Sequence, residues 1–182
     1  MHQYITIMKE HQFVLWVIGA HAGDRGNFVY ELPENVVEIH EVFLDDALKL
    51  KDNRRGKKQR YVNSIFSEKE TDSLKELMEC GHPDWEVLFH LYYDRKMNPM
   101  SFLRSEKFLN ILTESCLEKY PYIAFADSFH TMRSMLLPVL YLLGTEVPQA
   151  DVYHAISTGY GGLLASLGGY VYKRPVLLTE HG

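Results

Sequence analysis

Apolar and polar positions change rhythm along this chain, and each rhythm predicts a different kind of element. Over residues 1–9, Tyr4, Ile5 and Met8 fall on one side, the pattern of the tail of an amphipathic helix. Residues 13–18 (FVLWVI) are a continuous apolar run closed by Gly19 and Ala20. Such a run predicts a strand buried on both faces, as in a parallel sheet covered by helices. Residues 19–27 read as a loop. Residues 36–44 (VVEIHEVFL) predict a second strand with partial alternation.

After a polar stretch at 45–66 the period becomes helical. Ser67 stands three residues before Glu70, the spacing of a capping box, and Leu74, Leu77 and Met78 form a helical stripe behind it. Pro83 opens a second helix, carrying Trp85, Leu88, Phe89, Tyr92 and Tyr93. A third runs over 101–119 with Phe108, Leu109, Leu112 and Cys116, and a fourth over 124–143 bends near Pro138. The last third alternates again: a strand at 150–156, a turn at 157–159, a helix at 160–169 and a short buried strand at 176–179. A strand, helix and strand of this length imply parallel strands and a right-handed crossover.

The pattern therefore predicts an α/β fold, a Rossmann-like parallel sheet with a helical insertion between strands at about 67–143. At 182 residues the chain is long enough for one domain with a real core. It begins in a helix that should follow a strand and ends where a strand has just delivered a loop. Both features predict an incomplete domain.

Composition adds four exclusions. A hydrophobic fraction of 46 % with 24 % charged residues is ordinary for a globular protein and argues against disorder. The longest apolar run, residues 135–143, is short of the ~20 residues a spanning helix needs, so no membrane span is expected. The first residues lack the basic region and cleavage site of a signal peptide. Cys80 and Cys116 make no paired framework, which fits a reducing cytoplasm.

The net charge of −5 is unevenly spread. Residues 49–60 hold seven of the 19 basic side chains and one of the 24 acids, leaving 12 basic and 23 acidic side chains elsewhere. An acidic body argues against nucleic-acid binding. The basic stretch itself reads as a solvated loop, with no aromatic residues interleaved for stacking.

Open parallel sheets bind ligands at the carboxyl ends of their strands. Three such ends are visible here, and each carries one of the nine histidines: His21 after the first strand, His154 at the third, and His181 at the last. The turn Ser157-Thr158-Gly159-Tyr160 between a strand and a helix offers hydroxyls and helix-start amides to a sugar hydroxyl or a phosphate oxygen. The same pattern also serves an ordinary helix start with glycines for close packing. Gly19, Gly23 and Gly26 have the wrong spacing for a dinucleotide fingerprint, and no helix pattern follows them. Metal spacing and nucleophile elbows are absent: there is no H-E-x-x-H and no G-x-S-x-G, and Cys80-Gly81-His82 has no partner pair. Asp127, His130 and Arg133 read as a polar helix surface.

Two segments then carry a resemblance. Residues 150–164 (ADVYHAISTGYGGLL) and 174–182 (RPVLLTEHG), supported by FVLWVIGA at 13–20 and RSMLLP at 133–138, resemble the N-terminal domain of PelF-type glycosyltransferases. The resemblance covers essentially the whole chain. It implies the acceptor-side N-terminal half of a GT-B fold, residues 1–182, with a first strand and a C-terminal donor domain lying outside them. It also implies a cytoplasmic, retaining enzyme of the glycogen-synthase-like superfamily that transfers a sugar from a UDP-sugar, UDP-glucose being the type, to a growing exopolysaccharide of biofilms. The UDP-sugar would be held mostly by the C-terminal domain. A sugar or polysaccharide acceptor and association with an exopolysaccharide synthesis complex follow, with neither metal nor cofactor required. The fragment alone should be inactive.

In that superfamily a histidine after an N-terminal-domain strand faces the donor sugar, and His181 is the matching position, expected to be catalytic. Substrate binding is expected of His154, Ser157, Thr158, Gly159, Tyr160, Glu180 and His21. The competing expectation is a non-catalytic carbohydrate- or partner-binding α/β module.

Overall fold

The computed structural model describes residues 2–50 and 66–180. The chain divides into two compact units, one of Met1–Leu48 with Thr145–Gly182 and the other of Lys49–Gly144.

The first unit is α/β and Rossmann-like. Helix α1 (His2–Ile7) leads into strand β1 (Phe13–Gly19), which pairs in parallel with β2 (Val36–Phe43) from Phe13 opposite Val36 to Gly19 opposite Phe43. The side-chain amide of Asn35 donates to the carbonyls of Ile5, Met8 and His11 at 3.0–3.2 Å, satisfying the end of α1 and fixing the entry to β2. A second parallel pair, β3 (Tyr153–Ala155) and β4 (Val176–Leu178), is bridged by the last helix, Tyr160–Tyr172. That helix sits close because it carries glycines: a Cβ at Gly168 would lie 2.5 Å from the Tyr153 ring. Tyr153 is buried, stacks on Tyr172 and donates its hydroxyl to the Pro148 carbonyl at 2.7 Å.

Among its described residues the second unit is built of helices joined by short loops, with no strand. Helix α2 (Glu68–Met78) starts with the expected capping box, the Glu70 amide donating to Ser67 Oγ at 3.3 Å and the Ser67 amide to Glu70 Oε2 at 2.7 Å. Helix α3 (Trp85–Phe89) runs into one π turn, His90–Asp94. Helices α4 (Pro99–Leu103), α5 (Glu106–Lys119) and α6 (Phe125–Leu142) follow, so the bridging helix of the first unit is α7. Phe66, Phe102, Phe108 and Phe129 meet edge to face in a chain at 5.5–5.8 Å, and Leu74, Leu88, Leu91, Leu112 and Leu140 are fully buried around them. Among the described residues no helix is long and apolar enough to cross a membrane.

Several sequence expectations change in detail. Pro83 does not open α3: it lies just before Asp84, whose carboxylate accepts from the Val87 amide at 3.3 Å and so sets the start. The expected third helix is two, because Ser105 accepts from the Phe108 amide and its own amide turns back to the Phe102 carbonyl. The fourth runs unbroken as helix through Pro138. Strand β3 has three residues rather than seven, and α7 extends three residues further than expected.

Burial differs most. In β1 only Leu15 is buried, and Val176, Leu177 and Leu178 of β4 are 41–54 % exposed. A strand is covered on both faces and edges only where neighbours exist. Among the described residues β1 pairs with β2 alone and β4 with β3 alone.

Candidate functional site

The carboxyl end of β1 is a tightly tied loop. Residues Ala22–Asp24 form one 3-10 turn. The Ala22 amide donates to Asp45 Oδ1 at 3.1 Å, and the Asp45 amide returns a bond to the Ala20 carbonyl at 3.1 Å. Gly26, at a φ of 74°, donates its amide to both Glu41 carboxylate oxygens at 3.0 and 3.2 Å. His21 sits between these ties, exposed and at the head of the 3-10 turn.

At the carboxyl end of β3 the chain turns at Gly159, whose φ of 73° and ψ of −131° require glycine. Gly159 is itself the N-cap of α7, and no side chain caps that helix. The hydroxyls of Ser157 and Thr158 are therefore not spent on capping, and both residues are exposed. His154 points out of β3 between the buried Tyr153 and Ala155. Its Nε2 is 2.8 Å from Thr179 Oγ1, just past β4, and Tyr4 stands edge-on to its ring at 6.0 Å.

Part of this set lines a cavity of about 620 Å³ within the first unit. Tyr4, the length of β1, Leu44, and the β3 segment through Ser157, Thr158, Tyr160 and Gly161 line it. Of the residues expected from sequence, the structure brings His154, Ser157, Thr158 and Tyr160 together here, with Gly159 at the bend between them. His21 and Glu180 are exposed and are not among the lining residues. His181 lies outside the described residues, as do residues 51–60 of the basic stretch.

Three participants escaped the sequence reading as site residues. Tyr4 was legible only as one position of an apolar stripe. Thr179 was legible only as the end of a strand. Trp16 was read as core, yet it lines the cavity, and its buried Nε1 has no hydrogen-bond partner among the described residues.

Chemically, the set is an imidazole, five hydroxyl side chains (Tyr4, Ser157, Thr158, Tyr160 and Thr179) and aromatic faces, the equipment that holds a polyol by hydrogen bonds and ring stacking. Among the described residues no group of three or more His, Cys, Asp or Glu side chains stands ready for a metal ion.

A family model described as a domain of unknown function (DUF3492) matches residues 1–182, the whole chain. Neither the curated proteins nor the solved structures yield a match.

Proposed function

We propose that this chain, which belongs to the DUF3492 family, is the acceptor-side half of a retaining glycosyltransferase of the PelF type, working on a UDP-sugar held mainly by a second domain. The observation that carries this reading is the convergence at one cavity of β1, through Ala20 at its carboxyl end, and the segment following β3. In open α/β sheets such strand ends are where ligands bind. Ser157, Thr158 and Tyr160 supply neutral hydrogen-bonding groups suited to sugar hydroxyls. His154 is oriented by Thr179.

In the proposed reaction the bond from the sugar's anomeric carbon to the nucleotide breaks as the acceptor oxygen approaches. Positive charge develops on the sugar ring, as in other oxocarbenium-like transition states. Such a reaction asks for orientation and for polar groups fixed beside the developing charge. His181, two residues beyond Thr179 in sequence, is assigned that role. Glu180, its exposed neighbour, is assigned substrate contact rather than catalysis.

The test is a polypeptide that joins these residues to a donor domain, assayed for sugar transfer from UDP-glucose. His181→Ala should lower kcat by about 10²–10³-fold, the scale of removing one group that stabilises transition-state charge, with little change in melting temperature. An unaltered kcat would refute the catalytic role. The 182 residues alone should show no UDP-sugar turnover, and measurable turnover would refute the division of labour. Saccharide binding by the chain, with no sugar transfer by the joined polypeptide, would assign the non-catalytic module instead.

A further inference from the structure

We propose that the turn joining α5 to α6 is a docking surface for another protein, one that offers an apolar pocket rimmed by lysine or arginine, with Tyr122 as the anchor. The inference lies in the helical unit and uses neither the cavity of the first unit nor the glycosyltransferase reading.

The turn holds one aromatic ring out in water. The Ile123 amide donates to the Tyr120 carbonyl at 3.1 Å, closing a turn over residues 120–123. Pro121 occupies its second position, where the fixed φ of proline favours the turn. On one side the Tyr120 amide bonds back to the Cys116 carbonyl of α5 at 3.2 Å. On the other, the Asp127 and Ser128 amides donate to the Ala124 carbonyl at 3.0 and 3.1 Å and open α6. Tyr122 stands at the third position of this tied turn and is 99 % exposed. Its ring contributes no burial to the fold of its own chain. A partner does gain from it, because a side chain presented on a rigid turn loses less freedom on binding. Tyrosine is also among the residues that dominate interface energies.

Tyr122 does not stand alone. Leu117, Tyr120, Ile123 and Phe125 are each 42–73 % exposed, so five large apolar side chains within nine residues meet water. Scattered exposed apolar residues are ordinary, whereas a contiguous group marks an interaction site. The group is also backed by the core. Phe125 lies 6.4 Å from Phe129, and Phe129 lies 5.8 Å from the buried Phe108, so a row of rings runs inward from the surface.

Charge selects the partner. Lys119, the basic side chain inside the segment, is held by Glu79 at 2.9 Å. Glu118 and Asp127, on either side of the turn, make no salt bridge among the described residues. Arg133 stands further along α6 and about 120° round the helix from Asp127. The apolar group is therefore flanked by two unpaired carboxylates, which match a positive rim. The aliphatic Leu117 and Ile123 offer nothing to sugar hydroxyls, and the carboxylates repel anionic headgroups. A second copy of this chain would set the same carboxylates against each other across a two-fold interface.

The experiment is fluorescence anisotropy of a labelled amphipathic helical peptide of Leu and Lys, titrated with the 182-residue chain. The same peptide with Glu in place of Lys is the comparison. The Leu/Lys peptide should bind, and Tyr122→Ala should weaken it about tenfold without moving the melting temperature. Glu118→Lys combined with Asp127→Lys should weaken it about fivefold. No binding of the Leu/Lys peptide up to its solubility limit overturns the proposal. So does unchanged binding by Tyr122→Ala, or equal binding of the Leu/Lys and Leu/Glu peptides. Binding of maltohexaose or of phosphatidylglycerol vesicles that Tyr122→Ala abolishes, with the peptide unaffected, overturns it in favour of a saccharide or a membrane. Self-association in sedimentation velocity that Tyr122→Ala abolishes overturns it in favour of a second copy.

Discussion

Tyr92 illustrates how one buried polar atom sets a measurable property of the helical unit. Its ring is fully buried, and its hydroxyl has no hydrogen-bond partner among the described residues. Burial first, and then the negative charge of nearby Glu70, push the phenol well above the usual tyrosine range. The sign follows from linkage: unfolding releases the phenol to ionise near pH 10, so stability is unaffected below about pH 10 and falls as pH rises beyond it. Tyr92→Phe removes a hydroxyl that gains nothing from burial. It should leave stability at neutral pH unchanged or raise it by up to about 1 kcal/mol, and flatten the loss above pH 10. Urea melts at neutral pH and at two alkaline pH values check both expectations, and a clear loss at neutral pH would mean the hydroxyl is satisfied. Glu70 is the contrasting case. It is buried but closes the α2 cap and also pairs with Arg95, so its charge is fully used.

At the scale of elements, two seams should respond differently to substitution. Ser67→Ala removes one half of the α2 capping box and should cost about 1 kcal/mol in chemical denaturation. Gly168→Ala drives a methyl into the buried Tyr153 ring where α7 crosses β3, and should cost about 1–3 kcal/mol, more than the exposed Gly23→Ala, where a Cβ meets open space. Equal effects at Gly168 and Gly23 would mean that α7 has room to shift.

These same elements mark what the sequence made legible. Capping is local, so Ser67 with Glu70 announced α2 to the residue. The FVLWVI run announced β1, and the strand, helix and strand at 153–178 announced a parallel pair. Breaks decided by one side-chain hydrogen bond were hidden, as at Ser105, because the apolar spacing continues across them. Burial was over-read in β1 and β4, since an apolar run records what a strand is fit to touch and not what stands beside it. For the site, the strand ends were legible as positions, but the pairing of His154 with Thr179 was not. That contact depends on parallel register, 25 residues apart in sequence.

At the scale of the whole molecule, the apolar surface that β4 leaves open has consequences for association. Leu177 and Leu178 are each more than half exposed, on opposite faces of a strand at the rim of its pair. Exposed apolar rims recruit other strands, and natural sheets blunt them with lysine. The 182-residue chain should therefore self-associate as its concentration rises. Leu177→Lys should reduce that association in sedimentation velocity while leaving the thermal melt nearly unchanged, since the side chain it replaces is already half in water. A Leu177→Lys variant that associates like the parent would mean that a surface other than β4 is the adhesive one.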